Sequence, residues 1–334
     1  MKDVIIIGAG PVGLACAIEA QINNLDYLVI DKGCLTNSIY NFPLNITFFS
    51  TPDLLTIGNV PFITTGFRPD RIEVLNYYRN VVDLYGLNVK CYAKVIDIMD
   101  VKNGFDVVTE PLHSSDSLYK AKHVIIATGY HDNANMLNIK GEKLSKVSHY
   151  YKDAHQYHGM DVAVIGGNNS AAEAALDLYR HGANVTLVHR GSDLGEKVKY
   201  WIAPELKNRI KDGSVKCLFD TNLTEIKKDT IVVSSKGDDG PVETGELGES
   251  QELKNDFVFA MTGYRPDIKM LKKFGLNYCK DSLIPEHSED CHETNRKGIF
   301  LAGSILCGIK NNSIFIETGR FHGKKIIDYI VKSS

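Results

Sequence analysis

Three glycines, Gly8, Gly10 and Gly13, follow the apolar run Val4–Ile7 in a G-x-G-x-x-G spacing. The run is β-branched, as a strand buried on both faces requires, and Pro11 sits where the first turn of a helix tolerates it. A glycine turn between strand and helix is built to hold the pyrophosphate of a dinucleotide. The first glycine makes the turn, the second admits close backbone approach, and the third packs helix on strand. The helix N-terminus then stabilises the phosphate charge. Gly13, Ala17 and Ala20 give that helix a small-residue face for the sheet. Tyr27–Ile30 returns as a second strand, and Asp31 at its end offers a carboxylate to ribose hydroxyls, with Lys32 beside it.

The same unit recurs over Asp161–Arg190, with the turn Gly166-Gly167-Asn168-Asn169-Ser170-Ala171. Alanine replaces the third glycine, and Asn168 replaces the middle one. The returning strand, Val185–Val188, ends in His189-Arg190 instead of an acid. A carboxylate there would repel a 2′-phosphate, whereas a guanidinium binds it through charge-assisted hydrogen bonds. This turn is therefore expected to take NADPH, with Lys197 and Lys199 close enough in sequence to assist. Two nucleotide sites, one of them for NADPH, leave the first for FAD.

The seven cysteines, Cys16, Cys34, Cys91, Cys217, Cys279, Cys291 and Cys307, are odd in number and scattered, with no C-x-x-C and no metal-ligand spacing. They read as reduced thiols, with no metal site and no adjacent dithiol. Cys16 and His149 are the catalytic candidates. Cys16 would be a substitute thiol, although its place three residues past Gly13 predicts a buried side chain. Cys34 and Cys307 are weaker candidates. His149, like His155, is a candidate because imidazole is a side chain suited to acid–base chemistry.

These residues need a scaffold, and 334 residues suffice for about two domains. Hydrophobic residues at 43% and charged residues at 24% are globular proportions, and a net charge of −3 gives no reason to expect nucleic-acid or membrane partners. No segment approaches the roughly 20 apolar residues of a membrane span. The N-terminus reads as strand and not as signal peptide, so a cytoplasmic location is expected.

Between the two units lies a mixed region, Phe48–Asp116, with strand-like stretches at Val95–Val101 and Phe105–Thr109. Val124–Gly129 then forms a buried strand ending in a turn. Lys236–Asn255, acidic and glycine-rich, is expected to be a solvated loop or hairpin tip. Asp256–Gly263 and Ile299–Gly303 are further strands, and a helix is expected over Ser313–Val331 with its N-terminus aimed at the flavin. The order predicts an α/β fold of two Rossmann-like dinucleotide-binding domains, each three-layered. Residues 133–261 (NADPH) interrupt an FAD-binding domain of residues 1–132 and 262–334.

At this level the chain resembles the two-domain flavoprotein disulfide reductases of thioredoxin-reductase type, over essentially its whole length. Val124–Gly129 looks like their strand leaving the FAD domain, Gly263-Tyr264-Arg265-Pro266 like the return, and Gly298–Gly303 like the strand approaching the flavin. Within them it is most similar to the bacillithiol disulfide reductase (bacilliredoxin reductase) family. The stretches that carry this are Ser38–Asn41, Thr47–Ser50, Ile57–Phe62, His149–Lys152 with Ala154-His155, Lys199-x-Trp201-Ile202, Ile314–Glu317 and Phe321–Gly323.

The resemblance implies NADPH-driven reduction of bacillithiol disulfide through FAD, and a homodimer. It places Tyr40, Phe48, Ser50, Val95, Thr128, Gly129, Gly303, Ser304 and Ile316 with Gly8–Gly13 and Asp31 around FAD. The acceptor is a small disulfide or a small redox protein. Two positions depart from the pattern: Val12 stands where relatives commonly carry a cysteine, and Ser304 where an acid is usual. A flavin monooxygenase, suggested by Gly141, His149 and Asn169-Ser170, is an alternative, as are a ferredoxin–NADP reductase and a non-catalytic redox sensor. The Gly141–His149 spacing is too long for the first, and the C-terminus lacks the stacking aromatic tail of the second.

Overall fold

The computed structural model describes residues 1–112, 117–236, 247–310 and 313–333. Its strands are β1 (Lys2–Ile7), β2 (Tyr27–Ile30), β3 (Val89–Lys90), β4 (Ala93–Val101), β5 (Gly104–Pro111), β6 (Leu118–Ile126), β7 (Val147–Ser148), β8 (Asp161–Ile165), β9 (Asn184–Val188), β10 (Lys216–Leu218), β11 (Thr221–Ile226), β12 (Thr230–Lys236), β13 (Leu247–Lys254), β14 (Phe257–Ala260) and β15 (Ile299–Leu301). Its helices are α1 (Pro11–Ile22), α2 (Asn37–Tyr40), α3 (Pro52–Leu55), α4 (Arg71–Tyr85), α5 (Asn169–Arg180), α6 (Ala203–Lys211), α7 (Ile268–Lys273), α8 (Ile316–Gly319) and α9 (His322–Ser333). Two compact units result: Met1–Asn133 with Tyr264–Ser334, and Ala134–Gly263.

The first unit carries a seven-stranded sheet ordered β3-β2-β1-β6-β5-β4, with β15 also on β6. β6 serves three partners along its length. Leu118–Ala121 pair antiparallel with β5, while Val124–Ile126 pair parallel with β15 and, on the other edge, with Ile5–Ile7 of β1. The near-continuous apolar character of β1 and of the second half of β6 follows from layers on both faces. One face packs on α1, α4 and α9 through residues such as Leu14, Tyr78 and Ile327. The other packs on the β4–β5 hairpin and α7 through Phe105, Val107 and Phe274. α1 and α9 approach closely: a Cβ on Gly323 would lie 2.8 Å from the Cys16 Cα.

The second unit has a parallel sheet ordered β10-β9-β8-β14-β7 and a separate antiparallel sheet β11-β12-β13. Alanines 171, 172, 174 and 175 of α5 are buried, and this small face lets the helix pack on the strands.

Two expectations fail here. Leu247–Lys254, read as part of a solvated loop or hairpin tip because of its charge and glycines, is instead a strand that pairs antiparallel with β12, for example Val232↔Glu252. An antiparallel strand with one solvated face tolerates such polar residues, which is why composition misled. The rest of that expected loop, residues 237–246, lies outside the described residues. The expected C-terminal helix is two helices, α8 and α9, joined through Arg320 and Phe321. The junction lets Gly319 seat on Val12 while Gly323 seats on Cys16. α8 is only one turn, so the dipole expected at Ser313 has no helix to produce it. Among the described residues no helix is long and apolar enough to cross a membrane.

Candidate functional site

Each unit presents a glycine turn at the C-terminal end of a central parallel strand, β1 in the first and β8 in the second. In the first, Gly8 has φ +113°, and a Cβ there would sit 2.5 Å from the Ala127 carbonyl oxygen. A Cβ on Gly13 would lie 1.9 Å from the Gly8 oxygen, so the third glycine is a packing requirement. Gly10 differs, because a Cβ there would meet nothing within 4 Å. Open space thus lies before the N-terminus of α1, whose first N–H groups have no helical acceptor. Asp31 closes the turn from the end of β2, accepting from Ala9 N (2.7 Å) and Gly33 N (2.8 Å). Burial raises its pKa against the pull of those two bonds. Its remaining lone pairs can take a ribose hydroxyl.

Around this turn, the Thr128 hydroxyl is buried with no protein partner. A Cβ on Gly129 would lie 3.3 Å from Ser304 Oγ, and one on Gly303 would lie 3.1 Å from Val12. Thr128, Gly129, Gly303 and Ser304 therefore gather where β6 and β15 end. Ile316 opens α8 and packs on the cluster that includes Leu14 and Ala15. The Ser50 hydroxyl donates to Glu317. Phe48 is buried, and Tyr40 is exposed with its carbonyl accepting from Arg71 Nη2 (2.5 Å). Val95 is a core residue of β4 that packs among Ile98 and Phe105. Lys32 pairs with Asp132 at 2.7 Å.

In the second unit Gly166 (φ +140°) repeats the role of Gly8, its would-be Cβ 2.5 Å from the Met261 oxygen. Asn168 is the N-cap of α5 but makes no side-chain capping bond, which leaves the N–H groups of the first turn for a ligand. Asn169 is committed elsewhere: its Oδ1 accepts from Lys199 N (2.8 Å) and its Nδ2 donates to Lys197 O (2.9 Å). The His189 ring lies over Gly167 and Gly191, 2.4 Å and 2.7 Å from the positions their Cβ atoms would take. Arg190 stands exposed at the strand end.

Lys199 is a correction. Its ammonium is buried and pairs with Glu173 of α5 at 2.8 Å, so it is withdrawn from the 2′-phosphate, whereas Lys197 remains exposed. The Glu173 carboxyl is itself pushed up by burial, against the pull of Lys199.

The catalytic candidates fare worse. Cys16 is fully enclosed under α9, and burial pushes its thiol up to about 12, so it supplies neither access nor thiolate. Cys34 is half-buried with its thiol also raised, and Cys307 is buried, donating to Ile314 O at 3.6 Å. Cys279 is the exposed thiol among the described residues, its pKa lowered first by a hydrogen bond with Ser282. His149 Nε2 lies 3.3 Å from the Glu142 carboxylate without a hydrogen bond to it, and that carboxylate accepts from Leu137 N (2.5 Å) and Asn138 N (2.8 Å). That arrangement is a structural tie within the second unit. His155 is exposed on a short 3-10 turn.

Sequence reasoning missed Glu317, Glu173 and Arg71. Arg71, buried at the first position of α4, donates to the Ile39 and Tyr40 carbonyls that end α2. All three act across long sequence separations, which no local spacing signals.

The residues fit a dinucleotide at each turn: free N–H groups at both, open space and a buried unpartnered hydroxyl at the first, and an exposed guanidinium at the second. Fold and turns together define a two-unit nucleotide-dependent oxidoreductase. Residues 5–303 match the family model described as pyridine nucleotide-disulphide oxidoreductase. The chain belongs to that family and, within it, to the bacilliredoxin reductases. It is 42% identical to the bacilliredoxin reductase Bdr of Bacillus subtilis (strain 168), over 99% of this chain and 98% of that one. The solved bacillithiol disulfide reductase Bdr from Bacillus cereus superposes with a TM-score of 0.94 at 42% identity, covering 100% and 99% of the two chains. That from Staphylococcus aureus gives 0.92 at 39%, with the same coverage. The protein is an enzyme, and its cofactors are FAD and NADPH.

Proposed function

We propose that this chain passes electrons from NADPH at the second turn, through FAD at the first, to a low-molecular-weight disulfide of the bacillithiol type or a small redox protein carrying one. Bound FAD supplies a hydride acceptor that returns electrons onward. Gly8–Gly13 and the N-terminus of α1 take its pyrophosphate, and Asp31 takes a ribose. Gly166–Ser170 and Arg190 take NADPH, the guanidinium recognising the 2′-phosphate. The acceptor's S–S bond is cleaved to two thiols by two electrons and two protons, the hydride of NADPH and one solvent proton balancing the reaction.

The observation that carries this reading is the pairing of two turns that fit dinucleotides with an enclosed Cys16 and a valine at position 12. With valine at position 12 and Cys16 enclosed, the acceptor is reduced without a relay through either position. The test is anaerobic: NADPH consumption is followed with and without bacillithiol disulfide, in the wild type and in Cys279→Ser. Acceptor-dependent consumption is expected in both proteins. A rate with the disulfide no faster than with buffer removes the acceptor, and loss of turnover in Cys279→Ser removes the direct route.

A further inference from the structure

Next to the first turn, Gly303 N donates to the Nδ1 of His322 at 3.1 Å. A backbone amide bonded to an imidazole nitrogen fixes that nitrogen as the acceptor, so the ring must be neutral with its proton on Nε2. The surroundings keep it so. Among the described residues the charged or titratable groups acting on His322 are His292, with ring centroids 4.4 Å away, His287 beyond it and Lys325, none of them a carboxylate. Lys325 Nζ lies 3.4 Å from His292 Nε2 and also donates to the Glu289 carbonyl. Burial, followed by these neighbours, pushes His322 down to about 4.

Gly303 is itself buried, with φ +78°, against Val12, and the next residue, Ser304, places its hydroxyl against Gly129. His322 is held from behind, because α9 starts on it and Gly323 seats on Cys16. We propose that His322 is a positioning residue for the cofactor: as a neutral acceptor it engages the Gly303 amide and sets Gly303-Ser304 against the turn that takes FAD. The inference rests on the assignment of FAD to the first turn.

Two substitutions separate acceptor from bulk. His322→Asn keeps an acceptor oxygen near the place of Nδ1, and His322→Leu keeps volume without one. Hydrogen exchange at Gly303 and FAD retention by flavin fluorescence are read on the full-length protein. In His322→Leu, exchange is expected to speed up and FAD affinity to fall, each by about five- to tenfold, the worth of one buried hydrogen bond. His322→Asn should stay within about twofold of wild type, a rescue that a packing role would not give. Should His322→Leu fail to fold, His322→Ala takes its place in the same contrast. Equal behaviour of the acceptor-bearing and acceptor-free variants overturns the proposal. If wild type binds no FAD at the first turn, the FAD assignment fails, while exchange at Gly303 still decides whether His322 holds the strand end.

Discussion

The two glycine turns are one supersecondary design finished in two ways. In the first unit the strand after the turn ends in Asp31, whose carboxylate reaches back to the backbone at Ala9 and forward to Gly33. In the second it ends in His189, whose ring covers Gly167 and Gly191, and then in the exposed Arg190. The third small residue differs as well. Gly13 leaves no room for a Cβ, whereas Ala171 is accommodated, its Cβ 3.1 Å from where one on Gly166 would lie. Shared strand–turn–helix geometry fixes that a pyrophosphate can bind. Under the proposed function the residues at the strand ends select the nucleotide, while the third small residue sets how tightly the helix docks.

The sharpest break in the comparison is to exchange the third residue. Gly13→Ala would drive a Cβ into the Gly8 carbonyl, and we expect a loss of at least about 3 kcal/mol with failure to retain FAD. Ala171→Gly, the reverse change, should cost only about 1 kcal/mol, the helix-propensity difference. Thermal or denaturant melts of the two variants check this, and equal losses would mean that the turns dock alike.

Lys199 tests whether the second turn is held from below by a buried charge pair. Removing the ammonium in Lys199→Met strands Glu173, and about 3 kcal/mol should be lost near neutral pH. The sign with pH follows from Glu173, whose folded pKa is already raised above its ordinary 4.5. A raised carboxyl holds its proton more tightly when folded, so its unfavourable ionisation is absent at low pH and grows as pH rises. The stability gap between Lys199→Met and wild type should therefore open only above pH 4.5, once the raised carboxyl of the wild type ionises, and widen until that of the variant does. The ratio of NADPH to NADH use should not move. A changed ratio would return Lys199 to the nucleotide.

Arg190 should behave in the opposite way. Arg190→Ala is expected to lose about ten- to hundredfold in NADPH affinity, the worth of a charge-assisted contact, with NADH affinity and stability nearly unchanged. Titration of flavin reduction with each nucleotide measures it. A uniform loss for both would place Arg190 outside the 2′-phosphate contact.

Much of this was legible in the chain. Both turns are announced by strand, glycines and small-residue helix face within some thirty residues, so local sequence suffices. The insertion of one unit in the other followed from the order of apolar runs. What stayed hidden depends on partners far apart: Ser50 with Glu317, Lys199 with Glu173, Gly303 with His322. Lys199 misled because a lysine near a nucleotide turn carries the right charge. Only the fold reveals a carboxylate from α5 already holding it. The strand β13 was missed for a similar reason, since its polar residues belong to a solvated sheet face and imitate a loop.

The smallest expected effect bears on the open part of the chemistry. Cys16 stands three residues beyond Gly13, and the matching place beyond Ala171 is Ala174; both are fully buried. Cys16→Ala therefore makes α1 read like α5, removing one sulfur from a packed interface with α9. The loss should be about 1 kcal/mol or less, because a small, weakly polar group is all that leaves the core. Acceptor-dependent NADPH consumption should be unchanged, since a thiol with a pKa of about 12 under a helix cannot attack a disulfide. A drop in turnover without a matching drop in stability would show that α9 lifts away to expose Cys16. In that case the two helices would differ in function and not only in the side chain they bury.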